Sequence, residues 1–399
     1  MLGFRIAKRQ EPLQWGSFFI FFAALALSLG ISCLLLAIQG KPFMRALLLL
    51  WEGAFAHGYS LEDTALKSIP IFLCSLGVAV CFRMQVWNIG AEGQYALGAV
   101  GATWAVLTFP DAPAWALMPL MFAAAAALGA AWAAIPAFLR LKFELNEIIS
   151  TLMFNYIGML LLEYYVYGDW KDPASFGFPM TVMFPDTAII GSMFGRIHWG
   201  AAVCAVVAVM LSVFLKRTRL GFELMAGGEN PRAARYARMP YNFLVMLVMV
   251  LCGALAGWAG LIETSATLNR LQPNVMVGYG YTAIVVAWLA RLRITSIAVF
   301  SILLAGLRVG VENLQLELQV PAAFAGIMQG LLLITVLAGQ FFNWYEIKRV
   351  SGMEGEVDTL GNSGNSGNSG NSGNAGNAGN ASNTGNTGDA RNAVNGGQE

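Results

Sequence analysis

The sequence has 399 residues, of which 57% are hydrophobic and only 12% charged, and its formal net charge is +1. Soluble globular domains carry about 25% charged residues to cover their surface, so much of this chain must face something other than water, as a mean hydropathy of +0.60 agrees. A charge so close to zero excludes a global field that would draw in nucleic acid, and the two histidines, His57 and His198, have no ligand cluster around them that would hold a metal.

The first apolar run, Gly16–Ile38, contains no charged residue. It exceeds the roughly 20 residues that a helix needs to cross a bilayer. It is too long for a signal-peptide core and is followed by no convincing cleavage site, so it reads as a membrane anchor. Residues 39–63 mix apolar and polar side chains and suggest a helix lying in the interface. Further apolar runs cover residues 68–82, 95–109, 114–139, 148–167, 199–215, 241–262, 279–290, 296–311 and 322–342. Between the fifth and sixth of the ten runs, residues 168–198 carry Asp169, Trp170, Lys171, Asp172, Pro173 and Pro185, the composition of an ordered segment outside the bilayer. Trp15, Trp51, Trp115, Trp170, Trp199 and Trp344 fall near span ends, where the indole ring anchors at the interface. Cys33, Cys74, Cys81, Cys204 and Cys252 each lie in an apolar stretch with no Cys-x-x-Cys spacing, and read as small buried apolar residues.

Lys and Arg accumulate in cytoplasmic loops. With the N-terminus inside and ten alternating spans, the cytoplasmic side receives Arg5, Lys8, Arg9, Arg83, Arg140, Lys142, Lys216, Arg217, Arg219, Arg232, Arg235, Arg238, Arg291, Arg293, Lys348 and Arg349. The outside receives only Lys41, Arg45, Lys67, Lys171, Arg196 and Arg270. The fold class read from this pattern is all-α: a polytopic transmembrane helical bundle of about ten spans with both termini cytoplasmic. The membrane domain covers residues 1–345 and includes a cytoplasmic loop at 216–239. Residues 361–387 repeat Gly-Asn-Ser and related triplets without proline or any large apolar residue. That composition supports neither a collagen helix nor a core, so 351–399 reads as a disordered tail.

Three segments have chemical character. The first is Asn88-Ile89-Gly90-Ala91-Glu92-Gly93-Gln94, between two short apolar runs. Short, glycine-interrupted hydrophobic segments point to a transport site, because an opened helix exposes backbone groups to a polar solute. An ordinary cytoplasmic turn after Arg83 fits the spacing equally well. In the second, Asn155 lies inside an otherwise apolar span, one turn after Ser150 and Thr151, either facing a cavity or hydrogen-bonding between helices. Arg308 is a similar intramembrane case, with Glu312 as its candidate counter-charge. The third is the basic loop 216–239, in which Asn230 before Pro231 is a helix start, a capping side chain followed by proline at the first helical position. Ala233, Ala234 and Ala237 make that short helix small-sided, and Pro240 stops it.

Taken in order, residues 88–94, 146–157, 228–237 and 278–284 resemble the permeases of nucleoside and simple-sugar ABC importers, a group allied to the branched-chain amino acid and ribose permeases. The resemblance covers roughly residues 1–345. It implies a membrane-spanning subunit in the plasma (inner) membrane that pairs with a second permease subunit. It also implies two cytoplasmic ABC ATPases and an extracytoplasmic solute-binding protein as partners, with the lipid bilayer as surroundings, no nucleic acid, no cofactor and no metal. The carried-over roles place Asn88, Glu92, Gln94, Asn155 and Tyr156 along the solute path, and Gly228, Asn230, Ala233 and Ala234 in the helix that couples to the ATPase. The sequence departs from the family pattern at Arg238, where glycine is usual, and at Ala290 and Arg293, where glycine and asparagine are usual. It has no Gly-x-x-x-x-Gly-Lys-Ser/Thr phosphate loop and no nucleophile–base pair, so ATP hydrolysis falls to a separate subunit. A nucleoside is the expected solute, with a pentose or other simple sugar as the alternative. The rival class is an ion-coupled secondary transporter, which needs ionisable residues deep in its spans; Glu92, Glu163, Glu263 and Arg308 are the candidates.

Overall fold

The computed structural model describes residues 3–8, 16–321 and 323–350. The chain divides into two units, residues 6–347 and a smaller one of residues 1–5 with 348–399; the repeat tail at 351–399 lies outside the described residues. Strands β1 (Gly3–Lys8) and β4 (Tyr345–Val350) bracket the described chain.

Between them run α1 (Gly16–Ile38), α2 (Phe43–Trp51), a π-helical turn at Glu52–Ala56, α3 (Gly58–Arg83), α4 (Ala91–Thr108), α5 (Ala114–Phe143) and α6 (Glu147–Tyr167). A short hairpin of β2 (Ser192–Phe194) and β3 (Ile197–His198) follows. The second half contains α7 (Gly200–Arg217), α8 (Arg219–Glu229), α9 (Pro231–Tyr236), α10 (Tyr241–Ile262) with a π-helical extension Glu263–Leu268, α11 (Tyr279–Leu289), α12 (Ile294–Leu318) and α13 (Ala323–Trp344). Each of the ten apolar runs carries a helix over most of its described residues. Among the described residues, six helices are long and apolar enough to cross a membrane: Gly58–Arg83, Ala114–Phe143, Glu147–Tyr167, Gly200–Arg217, Tyr241–Leu268 and Ile294–Leu318. The helix expected within residues 39–63 is α2. The all-α reading needs one correction, since the chain also carries the short strands. β2 and β3 close on themselves through a turn at Gly195, whose φ of +56° suits glycine.

Lipid tails are as apolar as leucine, so helices in a bilayer associate through close packing of small residues rather than by escaping water. α10 follows that rule and sits at the centre. Cys252, Gly253, Ala256, Gly257 and Gly260 line its buried side, against α3, α4 and α5. A separate apolar cluster joins Cys33 and Leu36 of α1, Leu49 and Leu50 of α2, Leu314 of α12 and Phe324 of α13.

Residues 168–198 are ordered by hydrogen bonds to the chain after α10. Thr181 N–H donates to the Leu271 carbonyl at 3.0 Å and Phe184 N–H to the Asn269 carbonyl at 2.9 Å. Ser265 Oγ donates to the Ala188 carbonyl at 2.5 Å. At the end of this segment His198 is buried, and its Nδ1 accepts the Gly200 N–H at 3.1 Å. Burial pushes the imidazole down from 6.5 to about 4, because a charged ring there would lose its hydration. A base that is neutral when folded and protonated when unfolded costs stability as pH falls below its unfolded value. The melting temperature of the purified protein should therefore fall as pH drops from 6.5 towards 4, and His198→Gln should flatten that slope. An unchanged slope in the variant would show that other groups set it.

Candidate functional site

α3 ends at Arg83, and α4 does not start until Ala91. The intervening Met84, Val86 and Asn88 are fully buried. Non-helical backbone at membrane depth persists only where protein or a wet cavity satisfies it, and here side chains do so. Asn88 and Gln94 form a reciprocal amide pair, each amide nitrogen 3.1 Å from the other's oxygen. Asn88 Oδ1 also accepts the Gly90 N–H at 2.9 Å, and its Nδ2 lies 3.1 Å from the Cys252 sulfur in α10.

Asn155 reaches the same break from α6. Its Oδ1 accepts the Gly93 N–H at 2.8 Å, and its Nδ2 donates to the Ile89 carbonyl at 2.8 Å and to the Tyr281 hydroxyl at 3.2 Å. One turn earlier, Thr151 Oγ1 accepts the Ile89 N–H at 3.2 Å. These side chains replace the helical bonds that the break leaves open.

Glu92 points the other way, into the start of α11. Its two carboxylate oxygens accept the N–H groups of Gly278 at 2.8 Å and Gly280 at 2.6 Å. The first N–H groups of a helix have no intrahelical acceptor and carry the positive end of its dipole, so a buried carboxylate caps α11 directly. Gly280 permits the approach: a Cβ there would lie 2.4 Å from the Glu92 nitrogen. Gly278, with φ +87°, sets the turn into the helix. Arg308 of α12 holds the same turn, donating from an Nη to the Val277 carbonyl at 2.8 Å and lying 4.9 Å over the Tyr279 ring. Its expected counter-charge Glu312 is 3.6 Å away, and Lys67 of α3 is ion-paired to the other oxygen of Glu312.

The structure thus brings Asn88, Glu92, Gln94 and Asn155 together in one buried polar knot. Tyr156 stands apart, 54% exposed on the outer face of α6. Spacing gave no warning of the Gly278, Gly280, Tyr281 and Cys252 partners. The only sequence signal was the segment 278–284, whose motif was visible and whose contact with Glu92 was not. Among the described residues no group of histidine, cysteine and carboxylates is placed to hold a metal.

On the basic loop, Asn230 Oδ1 accepts the N–H groups of Arg232 and Ala233, both at 3.1 Å, and so caps α9. Arg238 takes the left-handed conformation at φ +56°, which explains structurally why glycine suits that position. Of the four coupling candidates, Asn230 and Ala233 are exposed while Gly228 and Ala234 are buried. Gly228 packs on the Arg83 carbonyl at the end of α3. The outward face of α9 consists of Arg232, Ala233, Arg235 and Tyr236, with Tyr236 90% exposed.

Residues 60–337 match the model of the branched-chain amino acid transport system permease component family. The chain is 33% identical over 301 residues to a glucose ABC transporter permease protein of Haloferax volcanii, covering 72% of this chain and 79% of that one. It is 30% identical over 340 residues to a guanosine ABC transporter permease protein of Bacillus subtilis, covering 82% and 94%. A nucleoside ABC transporter permease protein of Lactococcus lactis is 27% identical over 254 residues, covering 60% and 69%.

Proposed function

Because this chain belongs to the branched-chain amino acid transport system permease family, as a membrane-spanning subunit of an ATP-binding cassette importer in the plasma membrane, we propose that the solute it translocates is a nucleoside. The observation that carries this choice is the alignment with the guanosine permease, which spans 94% of that protein. The polar knot is compatible with it, since Asn88, Glu92, Gln94 and Asn155 offer hydroxyl and base-edge contacts once the knot opens. We further propose ten spans with both termini cytoplasmic, supported by the loop charges and by the ten helical apolar runs. A simple sugar is the second reading, favoured by the 33% identity to the glucose permease.

In this reading a separate cytoplasmic ATPase docks on α9, a second permease subunit completes the path, and an extracytoplasmic binding protein delivers the solute. α9 is capped, short and basic, and presents Tyr236 outward. Tyrosine is enriched among the interface hot spots, whose truncation costs about 2 kcal/mol or more. Tyr236→Ala should therefore lower co-purification of the ATPase at least tenfold without changing the amount of folded permease. Ala234→Asp should instead reduce the folded protein, because that side chain faces inward.

Uptake of labelled guanosine, ribose and glucose into vesicles carrying the assembled transporter decides the solute. ATP-dependent guanosine uptake is expected. Sugar uptake without nucleoside uptake would replace the first reading by the second.

A further inference from the structure

A cavity of about 240 Å³ lies between α13 on one side and α3, α11 and α12 on the other. It adjoins the turn that Glu92 caps, because Val277 and Arg308 line it and the Arg308 guanidinium donates to the Val277 carbonyl. An enclosed apolar cavity of about 150 Å³ already binds a benzene-sized molecule, so this one is large enough for an organic chain. Its chemistry is graded along its length. At one end are Arg308 and Glu312, with Lys67 paired to Glu312 behind them. The side walls and the far end are mostly apolar, with Ile71, Val285, Leu304, Leu307 and Leu332, and Thr282 is the one hydroxyl among them.

The gradient runs with depth. Glu312 lies six residues from the end of α12 at Leu318, about 9 Å at the helical rise. Gly326, an exposed residue on the cavity rim, lies three residues from the start of α13. Leu304 and Leu332 sit farther from those same ends. The charged end therefore faces the membrane surface, and the apolar end reaches towards the middle of the bundle. The charged groups are engaged but not sealed: the side chains of Lys67 and Glu312 remain 25% and 42% exposed.

We propose that this cavity is a phospholipid site. The first several carbons of one acyl chain occupy the apolar part between α13 and the pair α11 and α12, and the rest of the chain lies along the bundle surface. The zwitterionic headgroup, with a phosphate and a primary ammonium, meets Lys67 and Arg308 through the phosphate and Glu312 through the ammonium. A hydrated sugar has no apolar tail for the deep walls. Phosphatidylglycerol offers the same phosphate to Lys67 and Arg308 but only neutral hydroxyls, and no ammonium, to Glu312. The lipid would brace α13 against the helix that Glu92 caps, because α11 and α12 form the opposite wall. The assignment stands whichever solute the transporter carries.

Native mass spectrometry of the delipidated full chain tests it, with added phosphatidylethanolamine or phosphatidylglycerol. One bound phosphatidylethanolamine per chain is expected, retained at a concentration at least threefold below that needed for phosphatidylglycerol. Gly326→Phe places a ring into open space, since a Cβ there meets nothing within 4 Å, and should remove the bound lipid. Leu304→Phe intrudes from α12 and serves the same purpose if α13 does not seat in the first variant. Glu312→Gln should abolish the preference between the two headgroups. The proposal fails if the unaltered chain retains no lipid, if both filling variants retain it, or if guanosine displaces it.

Discussion

Glu92→Ala is expected to abolish uptake and to lower the amount of folded permease at the same time. The Gly278 and Gly280 N–H groups both donate to the buried Glu92 carboxylate, Gly280 in a buried setting and Gly278 in a half-buried one. Removing the acceptor leaves one buried and one half-buried donor unsatisfied at the start of α11. Each such loss costs about 1–3 kcal/mol, and the sum is a large part of the roughly 5–15 kcal/mol that holds a typical domain together. The helix N-terminus would draw away from α4, and the polar knot beside it would lose its frame. Glu92→Gln retains one acceptor and turns an amide nitrogen towards the other N–H, so it should fall between alanine and the unaltered chain. The measurements are thermal melting of the detergent-extracted protein and solute uptake by the assembled transporter. Normal melting with lost uptake would show that Glu92 contacts solute rather than holding α11; normal uptake with normal melting would remove it from both roles.

Gly257→Leu is expected to eliminate folded protein almost completely. A Cβ at Gly257 would lie 2.2 Å from the Ala125 carbonyl oxygen of α5. From the other side, a Cβ on Gly98 of α4 would lie 2.1 Å from the Gly257 Cα. The obstructing atoms are backbone, so no rotamer change relieves the clash, and α4, α5 and α10 would have to separate. Overpacking where neighbours can shift costs about 1–3 kcal/mol; where they cannot, the cost exceeds that range. Gly257→Ala should show a weaker version of the same defect. Gly326→Ala, whose Cβ enters open space, should leave the yield unchanged. Gel filtration of membrane extracts reads all three, and a monodisperse Gly257→Leu protein would show that the three helices do not pack as described.

Much of the architecture was legible in the sequence because its causes are local. A long apolar run crosses a bilayer most simply as a helix, since unsatisfied backbone groups are too costly in lipid, and the six helices long and apolar enough to cross a membrane each overlap one of the ten runs. Asn230 before Pro231 starts a helix for reasons contained in those two residues, and α9 begins there. Arg308 and Glu312 are four apart on one helix, so their pairing follows from the spacing. The family followed from four motifs in order, since a run of matched residues is also a property of the chain alone.

The contacts that define the site belong to the tertiary structure. Glu92 and Gly278 are 186 positions apart, and no periodicity within either segment indicates that they meet. Asn88 to Gln94 read equally well as a cytoplasmic turn or an opened helix, because a turn and a helix break use the same residues; that the segment is buried against α6 and α10 follows only from the tertiary structure. The inward face of Ala234 was equally out of reach, since a six-residue helix is too short for its pattern to tell which side is covered. Hydrophobic runs and caps are set by neighbours in sequence, so the chain alone determined its helices and their membrane setting. Which polar groups satisfy one another in the interior depends on the close approach of distant helices at their glycines, and only the packed structure decided it.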